Sequence, residues 1–261
     1  MPAMSEKEFY SVDFFAAQVD GSARSAAVVA PLVLSLLPVN SVIDVGCGVG
    51  PWAAAFLANG VSDVWGVDGD YVERSQLRIP PDRFLAKDLS RTLDLGRTFD
   101  LAVCLEVAEH LPELRARGLI GDLTAMASCV LFSAAVPGPT GTNHINPQYL
   151  PYWIKLFAER GFQAMDPFRP LIWGNDNVEW FYQQDIVLFA GPGHPALELN
   201  FPEPLNLIHP ELFRVALDVK PTLGMLAKGF PGALRRSIAG RLGLKGRSNS
   251  HSRRRANGRK E

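Results

Sequence analysis

Residues 41–52, SVIDVGCGVGPW, set three glycines into five positions directly behind an apolar run, and no other stretch narrows the fold so far. A loop with so few Cβ atoms lets the backbone come close to a ligand or a neighbouring element. In the G-x-G-x-x-G turn of dinucleotide-binding folds, the glycines meet a pyrophosphate where a strand gives way to a helix. Here the spacing is Gly46-x-Gly48-x-Gly50, and Pro51 stands where the last glycine of that turn would fall. Proline suits the first turn of a helix, where its missing N–H would be unpaired anyway. The stretch therefore reads as a strand, a tight turn and a helix start, built around a nucleotide-like ligand.

The rest of the chain repeats the alternation. Short apolar runs bounded by Gly, Pro or Asp predict strands at 41–47, 64–68, 83–88, 99–107, 129–136 and 183–190. Helical candidates lie at 22–37, 51–59, 111–127 and 147–160. Strands and helices in turn imply βαβ units: an α/β, doubly wound, Rossmann-like sheet, mostly parallel, with helices on both faces. Its ligand belongs in the crevice at the carboxyl ends of the strands. Past residue 192 the pattern weakens into a Pro-rich stretch and one amphipathic segment, 209–220. The expected organisation is an N-terminal segment (1–20), the α/β domain (21–192), a helical appendage (193–234) and a basic tail (235–261).

Composition removes several function classes. Cys47, Cys104 and Cys129 are odd in number and lack C-x-x-C spacing. That argues against a disulfide framework or zinc site and for a reducing, cytoplasmic setting. The start, MPAMSEKEFY, is too polar for a signal peptide, and the longest apolar run, 26–39, is too short to cross a bilayer. The net charge of −1 hides an asymmetry: residues 235–261 carry ten Lys/Arg against one Glu, which leaves residues 1–234 at −10. An acidic body argues against a nucleic-acid partner, whereas the tail suits a weak contact with an anionic surface.

Acidic residues mark the strand ends. Asp68 closes the second predicted strand 20 residues after Gly48, where a carboxylate can accept both hydroxyls of a ribose. Asp88 closes the third, placed for an adenine amino group. Asp44 lies inside the first, where a buried carboxylate needs a donor that a ligand ammonium could supply. Each alone reads as a strand-end cap, but three at successive strands point to a site.

With VIDVGCGVG, VWGVDGDYV, FLAKDLS and FDLAVCLEVAEHLP in this order, the stretch 40–190 resembles the motif series of class I S-adenosylmethionine-dependent methyltransferases, the small-molecule and sugar O-methyltransferases of bacteria in particular. The resemblance implies a seven-stranded sheet whose last strand is antiparallel, with S-adenosyl-L-methionine as cofactor. It also implies a cofactor-binding set of Asp44, Gly46, Cys47, Gly48, Gly50, Asp68, Gly69, Asp88, Leu89, Leu105 and Glu106. A sulfonium cation without a pyrophosphate fits an acidic crevice better than a phosphate would.

The string LEVAEHLP (105–112) places Glu106, Glu109 and His110 at the end of the fourth predicted strand. In many class I enzymes such a string is only the turn into the next helix. In ubiquinone-biosynthesis O-methyltransferases and small-RNA ribose 2′-O-methyltransferases, which it also resembles, it can hold Mg²⁺ or Mn²⁺. His144, in the loop after the fifth predicted strand, is a natural general base for an acceptor hydroxyl, with an ordinary imidazole pKa of about 6.5. Glu109 and His110 accompany it as catalytic candidates, and Trp153, Trp173, Trp180, Phe181 and Tyr182 as pocket or core residues. The expectation is metal-free methyl transfer to a hydroxyl of a small molecule or sugar/glycan precursor. The first alternative is a metal-assisted O-methyltransferase using Glu106, Glu109, His110 and His144 on a polyphenol or RNA ribose. The second is a non-catalytic binding module, and the oligomeric state is left open.

Overall fold

The computed structural model describes residues 12–138 and 141–218. The described residues up to Leu217 belong to one compact unit. The basic tail, with the surface contact expected of it, lies outside the described residues. Helix α1 (Val12–Leu36) leads into β1 (Ser41–Val45), α2 (Pro51–Ala58), β2 (Asp63–Asp68), β3 (Phe84–Ala86) and β4 (Leu101–Leu105). Then come α3 (Glu113–Met126), β5 (Cys129–Ser133), α4 (Leu150–Ala158), β6 (Gln163–Met165), α5 (Arg169–Ile172), α6 (Trp180–Asp185), β7 (Val187–Ala190) and α7 (Pro210–Asp218).

The strands form one seven-stranded sheet in the order β3-β2-β1-β4-β5-β7-β6. Strands β1 to β5 pair in parallel, and β7 runs antiparallel to both β5 and β6. The order reverses between β1 and β4, so the crevice above their carboxyl ends is the switch point of a doubly wound sheet. Helices cover both faces, and the strands are accordingly apolar on both. Val42, Leu101, Val103 and Leu131 pack towards α1 and α2, while Ile43, Ala102, Val130 and Phe132 pack towards α3 and α4. Side chains alternate across a strand, so Asp44 and Asp68 share the α1/α2 side with Val42 and Val64. On the other side Phe157 stacks on Phe189 with ring centroids 3.7 Å apart.

Several elements depart from the sequence expectations. Helix α1 begins at Val12 and runs across residue 20. Strand β3 spans only Phe84–Ala86, which leaves Asp88 beyond it in a turn. Strand β6 lies on the sheet edge, paired only with β7. Its three residues give too short a run to stand out. The stretch 183–190 is a strand only from Val187, because Trp180–Asp185 coil into α6. Trp153 is core, fully buried against Phe132. The Tyr182 hydroxyl joins α6 to α1 and α2 through Ser22 Oγ and the Trp52 indole N–H, both at 3.1 Å. Buried Arg169 pairs with Asp166 at 2.7 Å and donates to the carbonyls of Gln184 and Leu205, fixing the end of α6 beside the crevice.

Candidate active site

The loop after β1 is held by main-chain bonds, and at Gly46 it leaves no room for a side chain. The Gly46 and Cys47 amides both donate to the Val67 carbonyl, at 2.8 and 3.2 Å. Gly46 has φ 78°, and a Cβ there would lie 2.3 Å from Val107 Cγ2, so the loop and the turn after β4 close on each other at that point. Gly48 and Gly50 also have positive φ, Gly50 as the N-cap of α2 with Pro51 next. Cys47 is buried beside them, its thiol 3.3 Å from the Gly48 carbonyl.

Two buried carboxylates back this loop. Asp44 accepts from the Ala53 amide in the first turn of α2 at 3.2 Å. Burial raises its pKa to about 7, the Ala53 bond works against this, and the nearby Asp68 charge adds to it. Asp68 accepts from the Gly48 amide on Oδ2 (2.7 Å), and from the Gly69 amide (2.6 Å) and the Tyr71 hydroxyl (2.5 Å) on Oδ1. Its pKa is also raised by burial, with the three hydrogen bonds opposing. Asp88 stands apart. It is exposed, accepts from Ser90 and pairs with Arg91 at 3.2 Å, and the Ser90 bonds hold its pKa below the usual carboxylate range. Buried Leu89 is tied to α3, because Arg115 donates to its carbonyl at 2.9 Å.

The end of β4 carries the third group of acids. Leu105 is buried, and Glu106 follows it in the left-handed region at φ 57°, its amide within 3.2 Å of Ser133. A non-glycine residue there is strained, and such strain collects at functional sites. Glu109 is fully buried in the short 3₁₀ turn Ala108–His110. Its carbonyl accepts from the Ile145 and Asn146 amides at 2.9 and 2.8 Å, which brings the loop carrying His144 to it. His110 Nε2 and His144 Nε2 each lie 3.9 Å from the same Glu109 Oε1, and the two rings meet edge-on with centroids 4.8 Å apart. One ligand atom from each of Glu109, His110 and His144 can be chosen so that all lie within 4.8 Å of one another.

Few partners offset this charge. Among the described residues, neither Glu109 oxygen nor Glu106 Oε1 meets a donor in good hydrogen-bond geometry, though the Ser133 side chain acts on Glu106 and the Glu109 and Ala135 amides on Glu109. Burial raises Glu106 to about 7, and burial with the Glu106 charge pushes Glu109 well above the carboxylate range. Burial and then the His144 charge hold His110 down to about 4. Burial also lowers His144, so the ordinary value expected from sequence gives way to a more acidic one. Asp185 at the end of α6, absent from the sequence reading, is a further buried acid, raised by burial and by Glu106. A lone charged residue directly before the apolar run IVLFA was its one trace in sequence.

Residues 16–130 match a family model described as a methyltransferase domain. Over those residues the chain carries a methyltransferase domain. Solved structures of similar fold include magnesium protoporphyrin IX methyltransferase from Synechocystis PCC 6803 with bound SAM. It is 21% identical over 73% of this chain and 99% of that one, with a TM-score of 0.52. An amino pentose methyltransferase from Micromonospora echinaspora, also with bound SAM, is 16% identical over 73% and 99%, TM-score 0.51. An O-methyltransferase family protein from Burkholderia thailandensis is 16% identical over 70% of this chain and 61% of its own, TM-score 0.52. No curated protein sequence matches the chain. Among the described residues, no helix of this methyltransferase is long and apolar enough to cross a membrane.

Proposed function

We propose that this methyltransferase transfers the methyl group of S-adenosylmethionine to a hydroxyl of a small molecule or sugar/glycan precursor, with His144 as general base. The relatives of similar fold have porphyrin and amino pentose substrates by their names, so a small acceptor is in keeping with them. The observation that carries the reading is the pairing of a half-buried imidazole, its pKa lowered by burial, with a fully buried carboxyl: His144 Nε2 lies 3.9 Å from Glu109 Oε1. S-adenosylmethionine supplies a methyl group made electrophilic by its sulfonium sulfur. Its methyl would leave the sulfur with S–C cleavage, giving S-adenosylhomocysteine; His144 would take the acceptor hydroxyl's proton, and Glu109 would then face an imidazolium. The close-packed glycine loop and the buried Asp44 and Asp68 fit the cofactor. Asp44 would face its ammonium, and Asp68 the ribose. Buried free thiols at Cys47, Cys104 and Cys129 accord with the cytoplasm as its compartment.

Calorimetry with S-adenosylhomocysteine tests the cofactor half of this reading. Asp68→Ala is expected to weaken binding by about 1.5–3 kcal/mol through lost charge-assisted hydrogen bonds. NAD binding, or an unaffected variant, would sink it. A pH dependence follows from Asp44, whose pKa of about 7 leaves much of it protonated in the empty crevice. Meeting an ammonium requires the ionised form, so binding below that value must expel a proton. Affinity should therefore level off above pH 7 and fall by up to about tenfold per unit below it. Affinity that rises on acidification would reject Asp44 as the ammonium partner.

A second reading is favoured by one observation, the convergence of Glu109, His110 and His144 within 4.8 Å of one another. Two neutral imidazoles and one or two carboxylates are suitable ligands for Mn²⁺ or Mg²⁺. Glu106, Glu109, His110 and His144 would then hold the ion. Its chemistry would be to lower the pKa of a bound acceptor hydroxyl.

A further inference from the structure

Helix α7 (Pro210–Asp218) is apolar over more of its circumference than the protein beneath it covers. Leu212 is buried and Val215 half-buried, which gives the helix one packed side. Its start is fixed as well. The His209 amide donates to Gln184 Oε1 at 2.6 Å, and the His209 and Trp173 rings meet with centroids 4.8 Å apart. Phe213 and Leu217, one turn apart, are nevertheless 64% and 84% exposed, with exposed Ala216 on the same face. Glu211 and Arg214 pair with each other at 3.0 Å, away from that face. Exposed apolar residues continue on the neighbouring segments, at Trp173, Leu205 and Leu207. Soluble monomers rarely carry a large apolar surface without a partner for it.

We propose that this face docks on an anionic lipid bilayer, with α7 lying along the interface and Phe213 and Leu217 dipping into its apolar boundary. The distribution of charge along the chain points to lipid as the occupant. Residues 1–234 stand at −10, which an anionic surface repels, whereas residues 235–261 carry ten Lys/Arg against one Glu and are attracted to it. An apolar helix face and a polybasic segment in one chain are two signals that together hold a protein on such a membrane, and each alone is weak. Trp173, against the start of α7, suits the headgroup level, since its ring is apolar and its N–H polar.

The test is flotation of the full chain with vesicles made of equal parts phosphatidylcholine and phosphatidylglycerol. Wild type should float with them and stay behind with phosphatidylcholine alone. Raising the salt should release it, because the basic residues are then screened. Changing Phe213→Ser and Leu217→Ser together should weaken attachment about tenfold or more through lost apolar burial. Both side chains are exposed, so the melting temperature should match that of wild type. No attachment to the mixed vesicles, or attachment insensitive to salt, overturns the proposal. So does attachment undiminished in the paired variant, which would leave the tail acting alone. A wild-type dimer that the paired change breaks, with no vesicle binding, would assign the face to a second copy instead. A second measurement uses wild type only. Amide hydrogen exchange at residues 212–217 should slow when the mixed vesicles are added, and unchanged exchange there also overturns the proposal.

Discussion

His144→Ala is expected to cut methyl transfer by on the order of 10²–10⁴ while leaving S-adenosylhomocysteine affinity intact. Transfer is measured from labelled cofactor into a fractionated metabolite extract, since the acceptor is unidentified. The imidazole lies beside Glu109 and not beside Asp44 or Asp68, so its loss removes a proton acceptor without disturbing the cofactor loops. The same assay separates the two readings of the cluster. With His144 as a simple base, activity survives EDTA, and Glu109→Ala costs less than His144→Ala because it removes only the group facing the imidazolium. With a bound cation, EDTA abolishes transfer, Mn²⁺ or Mg²⁺ restores it, and the two variants are about equally damaging. Electron paramagnetic resonance of added Mn²⁺ gives an answer that does not depend on turnover. Tight Mn²⁺ lost in the Glu109→Ala variant, together with metal-restored transfer, would reject the metal-free reading.

What could be read from the sequence follows from how far apart the cooperating residues are. The β1 loop was legible because Val42, Ile43, Val45, Gly46, Gly48 and Gly50 are nearly contiguous, and their types alone demand a buried strand and a tight turn. Glu106, Glu109 and His110 were legible as a group for the same reason. His144 was legible as a candidate base, but its place beside Glu109 is set by two main-chain bonds from Ile145 and Asn146, which no side chain announces. Its lowered pKa comes from burial, again a property of neighbours distant in sequence. Ser133, Arg115 and Asp185 stayed hidden because each is ordinary in type and acts through tertiary contacts. Residues 183–185, read as the start of the last strand, misled for a related reason: they coil into α6, which Tyr182 ties to α1 and α2, so tertiary packing overrides the local pattern.

The second large effect is expected at Gly46. Alanine there must adopt φ 78°, and its Cβ would sit 2.3 Å from Val107 Cγ2. The left-handed conformation costs roughly 1–2 kcal/mol. Overpacking against a buried side chain typically adds about 1–3 kcal/mol. Gly46→Ala should therefore lose about 2–5 kcal/mol of stability in urea unfolding, and with it S-adenosylhomocysteine binding, because the displaced turn carries Glu106 and Glu109. Gly60→Ala is the control. It has φ 94° but nothing within 4 Å of its built Cβ, so only the conformational cost of about 1–2 kcal/mol remains. Trimming the neighbour isolates the contact. In a double-mutant cycle, Gly46→Ala with Val107→Ala should be more stable than the two single changes add up to, by about 1–3 kcal/mol. If Gly46→Ala costs no more than Gly60→Ala, or the cycle shows no coupling, the closeness of the β1 loop to the β4 turn is not what demands glycine at this position. Coupling of that size would tie the glycine loop after β1 to the turn that carries Glu106 and Glu109, so that neither can shift without the other.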